Sequence, residues 1–436
     1  MIYSIEEKLL AIFFSILILL CSYTVRLRVK SWQNPCSILS LFWFLYTFFP
    51  LVILFNVSIN LYAIIYIFCA IISFSIPTLF FKWEQPSHPK GLDNFFKLDK
   101  IFGLLCFLQA FTIITVVFDI LANGFSMHDI IFNLMDVSNS YMSLRYTDEV
   151  KVSIFSGMAN VTNYTVAILG GLVYIYLDRN RKLVCVLLVF IPSLIIMLVQ
   201  AAKGTLFLCL VLFFFSFSLA RSFERDEGLL PKGFWKGAIV GLTIFLPAIV
   251  SSFLSRGLYQ KGLDEAISGL FYYFNSYALA HLYAFSDWFS YYIGDSSLLE
   301  YKDYNGLQFG FYSFMPLFRL MGVDKIVPPG VYEEYFYIND ILQSNIYTVF
   351  RGGVLDFSLG GMLIVMFVFG VILNGLFWLL RRGRYLFFVI PVLVMFTGFS
   401  YSSFIISLFI WNSSYAAVIL SGLILYYIRV RSSAHE

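Results

Sequence analysis

Four cations stand apart from the rest of the charge in this chain. Lys203 sits in the tight "QAAKGT" connection between two apolar runs, and Arg256 in "SFLSRGLYQKG". Arg319 lies in the apolar "MPLFRLMG", and Arg351 in "SNIYTVFRGGVLDFSLGG", Ser344 to Gly361. Arginine carries a planar fork of N–H donors that matches phosphate oxygens, and lysine adds a compact point charge. Residues of this kind suit an anionic, phosphate-bearing ligand. The plainer alternative is that each pairs with a local carboxylate or reaches lipid headgroups along its apolar stem.

Groups able to move a proton lie nearby in sequence. Asp340 precedes Arg351, Asp356 follows it, and His281 stands alone in an aromatic stretch. A carboxylate in the first turns of an apolar helix is favoured by the helix dipole, which by itself would account for Asp356. Arg351 and Asp356 are five residues apart, so on an ideal helix they point about 140° apart. They are not an i,i+4 pair, and each therefore faces its own partner. His281 reads either as a packed or interfacial residue or as a base. The six cysteines show no CxxC spacing and the four histidines are scattered, so no metal site is expected. There is no P-loop and no GxSxG, and the apolar runs carry few central charges, which argues against an ATP-driven or ion-coupled carrier.

The elements that must position these residues follow from composition. The chain is 60% hydrophobic and 13% charged, with a mean hydropathy of +0.83. Soluble domains carry roughly 25% charged residues, so a polytopic membrane protein is expected. Long continuous apolar runs favour helices over a closed barrel. Eleven spans are predicted, at about 8–25, 38–56, 61–81, 101–122, 152–177, 183–200, 205–220, 237–254, 353–380, 385–401 and 408–428. Most of the 29 Lys and Arg residues fall in one alternating set of connections, including Arg26, Arg28, Arg179, Arg181, Arg381 and Arg382. That set is expected to be cytoplasmic, which puts the N-terminus outside and the C-terminus inside.

One connection is far longer than the rest. Residues 255–352 are expected to form a large, partly helical outer loop between a 1–254 bundle of eight spans and a 353–436 segment of three spans with a cytoplasmic tail. Within the loop, "LFYYFNSYALAHLYAFSDWFSYYIG" predicts a pair of interfacial amphipathic helices. A polar stretch over 295–308, an apolar helix around 315–322 and a turn at Pro328-Pro329-Gly330 follow. Residues 123–151 read as a smaller outer loop.

This layout and the stretch "NIYTVFRGGVLDFSLGGM" resemble the Wzy-type O-antigen polymerases, the oligosaccharide repeat unit polymerases. Members often carry a Tyr-Thr-x-x-Arg stretch and then Asp-Phe-x-x-x-Gly just after a large periplasmic loop. Here the first reads Tyr347 to Arg351, and the second begins Asp356-Phe357. The resemblance in layout spans nearly the whole chain, while the resemblance in residues covers this one stretch. It implies an enzyme of the bacterial inner membrane, working at the periplasmic face without metal or cofactor. Donor and acceptor would both be undecaprenyl-pyrophosphate-linked oligosaccharides, with a chain-length regulator as a possible partner and no nucleic acid. On that resemblance Arg256 and Arg351, supported by Lys203 and Arg319, would hold the pyrophosphate. Asp356, Asp340 and His281 would be candidate bases. Asn345, Tyr347 and the Leu258-Tyr259 step would face sugar. The alternatives are an O-antigen ligase, which uses the same donor, and a lipid-linked oligosaccharide flippase.

Overall fold

A computed structural model describes residues 4–83, 91–146, 153–200, 202–224, 228, 230–231, 234–254, 258, 262–302, 306–323, 325, 327, 331–338 and 341–430. The protein is mostly helical. In chain order the helices are α1 (Ile5–Val29), α2 (Pro35–Ile53), α3 (Leu61–Ser75), α4 (Asp99–Ala122), α5 (Met127–Phe132), α6 (Leu134–Tyr146), α7 (Ile154–Val173) and α8 (Arg179–Gln200). They continue with α9 (Lys203–Phe223), α10 (Phe234–Leu254), α11 (Leu263–Phe274), α12 (Ala280–Tyr292) and α13 (Phe311–Leu320). A hairpin of β1 (Phe336–Ile338) and β2 (Leu342–Ser344) precedes α14 (Thr348–Arg381), α15 (Leu386–Ser402) and α16 (Asn412–Tyr427). Among the described residues, eight helical segments are long and apolar enough to cross a membrane. The other three expected spans coincide with α10, α15 and α16.

Local chemistry sets the helix ends. Ser4 accepts the Glu7 N–H at the start of α1, whose first turn also carries Glu6 and Glu7 and whose last turn carries Arg26 and Arg28. Each sign lies where the helix dipole favours it. Lys30 closes α1 in the left-handed region at φ 60°. The Asn34 side chain caps α2 with Pro35 at its first position, and Asn60 caps α3.

The chain divides into two compact units. One comprises 1–84, 271–378 and 399–411; the other comprises 85–270, 379–398 and 412–436. In the second, α7 packs on α4 and α9. Gly171 of α7 lies so close to α9 that an added Cβ would fall 2.3 Å from the Phe213 carbonyl oxygen. A small apolar core of Val116, Ile120, Val137, Ala159, Ile196 and Val199 links α6 to α4, α7 and α8. Thus the described part of this connection, 123–146, is mostly helical and packed on its own bundle. Asn163 bridges to Ser193 at 2.8 Å, as expected of polar glue between spans.

In the first unit, α1 packs on α2 and α3, and α12 packs on α2 and α3. Here the second helix of the expected interfacial pair is corrected, while the first, α11, has no buried residue. Every residue from Ala280 to Ser290 is buried, so α12 is a core helix exposed only at its last two residues, Tyr291 and Tyr292. A π-helical turn at Asn275–Leu279 leads into it, and Ser276 there accepts the Gln343 N–H at 2.9 Å, docking the hairpin. The aromatics of 280–290 fill a protein interior, while Phe271, Phe274 and Phe309 stay exposed.

Helix α14 contains the feature that organises this unit. Its 34 residues would reach about 51 Å, far beyond a hydrocarbon core of about 30 Å. The helix is broken at Ser358, which takes φ 67° and ψ 174°. The Ser358 hydroxyl accepts the Gly361 N–H at 3.3 Å and so caps a new helix. What results is a ten-residue segment, 348–357, followed by a 23-residue segment of about 34 Å, the length of one membrane crossing.

Candidate functional site

Arg351 lies in the short segment 348–357 and is 1% exposed. Its Nη2 donates to Glu334 Oε2 at 3.1 Å. The rings of Tyr332, Tyr347, Tyr301 and Trp288 lie 4.1, 4.4, 5.1 and 5.6 Å from its guanidinium carbon. Aromatic faces attract a cation, more so when water is excluded. The guanidinium is thus held by one carboxylate and a cage of π-faces. Burial alone would raise the Glu334 carboxyl, but the Arg351 charge and the Lys302 backbone N–H beside it hold it below the usual range. The Lys302 N–H reaches Glu334 Oε1 at 2.9 Å.

The cage extends inward through Tyr301. Its hydroxyl donates to Asp287 Oδ2 at 2.8 Å, and Asp287 Oδ1 accepts the Leu298 N–H at 2.7 Å. Burial raises the Asp287 carboxyl and the Tyr301 and Tyr347 hydroxyls. Tyr347, expected to face sugar, is instead fully enclosed: its ring faces Arg351 and its hydroxyl donates to the Glu334 carbonyl at 3.0 Å. Asn345 is half-buried. Gly352 fits closely beside Arg351: an added Cβ would meet Tyr312 Cβ and the Tyr332 hydroxyl, each at 3.2 Å, and would press both outward.

Asp356 does not start a helix, which corrects the dipole reading made from sequence. It sits at the end of the 348–357 segment, two residues before the break. Its carboxylate reaches a different helix. Oδ1 accepts the Tyr312 N–H at 3.0 Å, and Oδ2 accepts the Ser313 N–H and hydroxyl, each at 2.7 Å. These are the exposed donors of the first turn of α13, so Asp356 caps that helix from a distance. The Leu355 and Asp356 carbonyls meanwhile accept the Gln308 and Phe309 N–H groups at 3.0 Å each. Lys325 stands next to this clasp, donating to Gln308 Oε1 at 2.9 Å and to the Tyr312 hydroxyl at 3.3 Å.

No family model, curated protein or solved structure matches the chain.

The remaining expected residues are dispersed. Arg319 is exposed on α13. His281 is 0% exposed, its Nε2 lies 3.0 Å from the Tyr46 carbonyl oxygen, and burial pushes its pKa down to about 4. That is the packed-residue alternative, since a base must be approached by the hydroxyl it activates. Lys203 belongs to the second unit and lies 3.8 Å from the centre of the Phe253 ring. Leu258 is buried, whereas Arg256, Tyr259 and Asp340 lie outside the described residues. Among the described residues, no three His, Cys, Asp or Glu side chains converge to hold a metal ion. Sequence reasoning counted Glu334 only among the carboxylates ahead of Arg351, and passed over Asp287, Tyr301, Tyr332 and Trp288. The available signal was the acidic pair in "YEEY", Tyr332 to Tyr335, which with Asp340 supplies the carboxylates shortly before Arg351.

Proposed function

We propose that this protein joins undecaprenyl-pyrophosphate-linked oligosaccharide repeat units into a surface polysaccharide, as Wzy-type polymerases do, at the periplasmic face of a bacterial inner membrane. The N-terminus is then periplasmic, the C-terminus cytoplasmic, and α10, α15 and α16 complete eleven spans. One observation carries the reading. Both charges of the family-like stretch reach out of their helix to hold the preceding loop, Arg351 through Glu334 and Asp356 through Tyr312 and Ser313.

In the proposed reaction the acceptor hydroxyl gives its proton to a carboxylate. Its oxygen bonds to the anomeric carbon of the donor, and the bond from that carbon to pyrophosphate breaks. Negative charge grows on the departing lipid pyrophosphate, and preorganised cations stabilise it. Arg351 can take that role when Glu334 releases it to a phosphate oxygen. The released Glu334 is then the base of choice. Asp356 ranks below it because its oxygens already hold α13. Metal and nucleotide take no part in the proposal.

The test is polymerisation by purified protein given a defined lipid-linked repeat unit. A glycan ladder is expected, and Glu334→Gln that remains folded by size-exclusion chromatography slows its formation by at least about 10²-fold. Failure of the wild-type protein to lengthen any lipid-linked unit sinks the reading. Deletion in cells separates the rivals: a lost polymerase leaves single repeat units on the core, a lost ligase leaves bare core, and a lost flippase leaves units on the cytoplasmic leaflet.

A further inference from the structure

Helix α13 is too short to cross a membrane: its ten residues, kinked at Phe314 (φ −137°, ψ 39°), reach at most about 15 Å. Yet it packs against the membrane-crossing half of α14. The Phe314 ring meets Phe369 edge-on at 5.9 Å and stacks on Phe409 at 6.3 Å, while the Ser313 carbonyl accepts the Ser407 hydroxyl at 3.0 Å. Phe369 lies eleven residues beyond the break, about 16 Å along the helix axis. Long helical side chains lean back toward the N-terminus, so the contact falls somewhat nearer the break. Helix α13 therefore lies beside the first turns of an apolar span, at a depth that lipid occupies on the exposed side of that span. Exposed there are Ile364, Val368 and Ile372, one stripe at i, i+4 and i+8.

The free face of α13 matches that surroundings. Leu317, Leu320 and Met321 are 46%, 85% and 68% exposed, a large apolar area to leave in water. Arg319 is the single cation of the helix and is exposed among them. Backbone polar groups at such a depth need protein partners. At the N-terminal end Asp356 supplies them. At the C-terminal end the chain closes on itself: Met321, Gly322 and Val323 N–H groups donate to the Leu317, Arg319 and Phe318 carbonyls at 3.2, 3.1 and 3.0 Å, with Gly322 at φ 82°.

We propose that α13 is a re-entrant foot inserted in the lipid leaflet, with Leu317, Leu320 and Met321 against acyl chains. Arg319 runs its apolar stem along them and meets an anionic headgroup phosphate. The occupant is the bilayer itself, and the contact stands whether or not the protein polymerises glycans.

The experiment places a photoreactive benzoylphenylalanine at Leu320, at Ile364 on α14, or at Tyr337 on the exposed hairpin. The full-length protein is reconstituted in nanodiscs of equal phosphatidylglycerol and phosphatidylcholine. Irradiation should attach lipid at position 320 about as well as at 364 and at least several-fold better than at 337. Among lipids attached at 320, phosphatidylglycerol should predominate, and Arg319→Gln should remove that preference without removing attachment. Attachment at 320 no better than at 337 overturns the foot. An unchanged lipid preference in Arg319→Gln overturns the headgroup contact.

Discussion

Arg351 and Asp356 share one ten-residue helical segment and are both buried, yet they are satisfied in opposite ways. Arg351 is compensated by a full opposite charge and by aromatic faces, all drawn from the chain N-terminal to it. Among the described residues, no cation donates to Asp356 at hydrogen-bonding distance, although Lys325 stands near enough to feel its charge. It is compensated by the N–H groups and hydroxyl at the start of α13. The first arrangement is expensive to disrupt from either side, because removing one partner strands the other in a water-poor site. The second is distributed over several neutral donors, each of modest worth. An exchangeable ion pair suits a group that must greet an incoming anion, and a distributed cap suits a fixed joint.

The difference predicts a hierarchy. Arg351→Ala should be the most damaging change, costing about 3–5 kcal/mol because Glu334 is left without its charge partner. Thermal unfolding in detergent reads this, and pairing Arg351→Met with Glu334→Gln should recover most of the loss. A double variant as unstable as Arg351→Ala would show that aromatic packing, not charge, holds the centre. Asp356→Asn should cost less, about 1–2 kcal/mol, since one acceptor oxygen remains while an amide donor now faces the α13 N–H groups. A loss equal to that of Arg351→Ala would erase the distinction between pair and cap. Ser313→Ala removes one of the three donors and should cost about 1 kcal/mol by the same assay.

Acid supplies the mildest probe. The Glu334 carboxyl lies below its ordinary 4.5 in the folded protein, held there by Arg351 against the effect of burial. Its stabilisation is therefore complete above pH 4.5 and is lost as pH falls through the lower folded value. The unfolding midpoint of the wild-type protein should drop in that acid range, and Glu334→Gln should flatten that part of the profile. An identical acid limb in the variant would place the sensitivity elsewhere.

Much of the architecture was legible in the sequence. Each apolar run emerged as helical, and eight of the helical segments among the described residues are long and apolar enough to cross a membrane, where a run of some twenty apolar residues has few other ways to satisfy its backbone. The angular argument on Arg351 and Asp356 also held, since five residues on a helix place two side chains on different faces and each found a separate partner. Other features were not legible. Residues 280–290 carry the composition of an interfacial helix, and only packing against α2 and α3 makes them core. The Ser358 break stayed hidden, although Ser358, Gly360 and Gly361 in "DFSLGG" weaken a helix, because such residues sit inside apolar spans without fixing where a break falls. Docking of Gln308 and Phe309 onto the Leu355 and Asp356 carbonyls is what accommodates it.

The sequence by itself determined that this chain lives in a membrane, where its helices run, and that Arg351 and Asp356 must look in different directions. Those outcomes depend on hydropathy and helical periodicity, both local. Only the tertiary structure decided that Arg351 answers to Glu334 inside an aromatic cage and that Asp356 caps another helix. Seventeen residues separate the first pair and more than forty the second. Contacts at that range are set by how the loop folds back on α14, which no local pattern encodes.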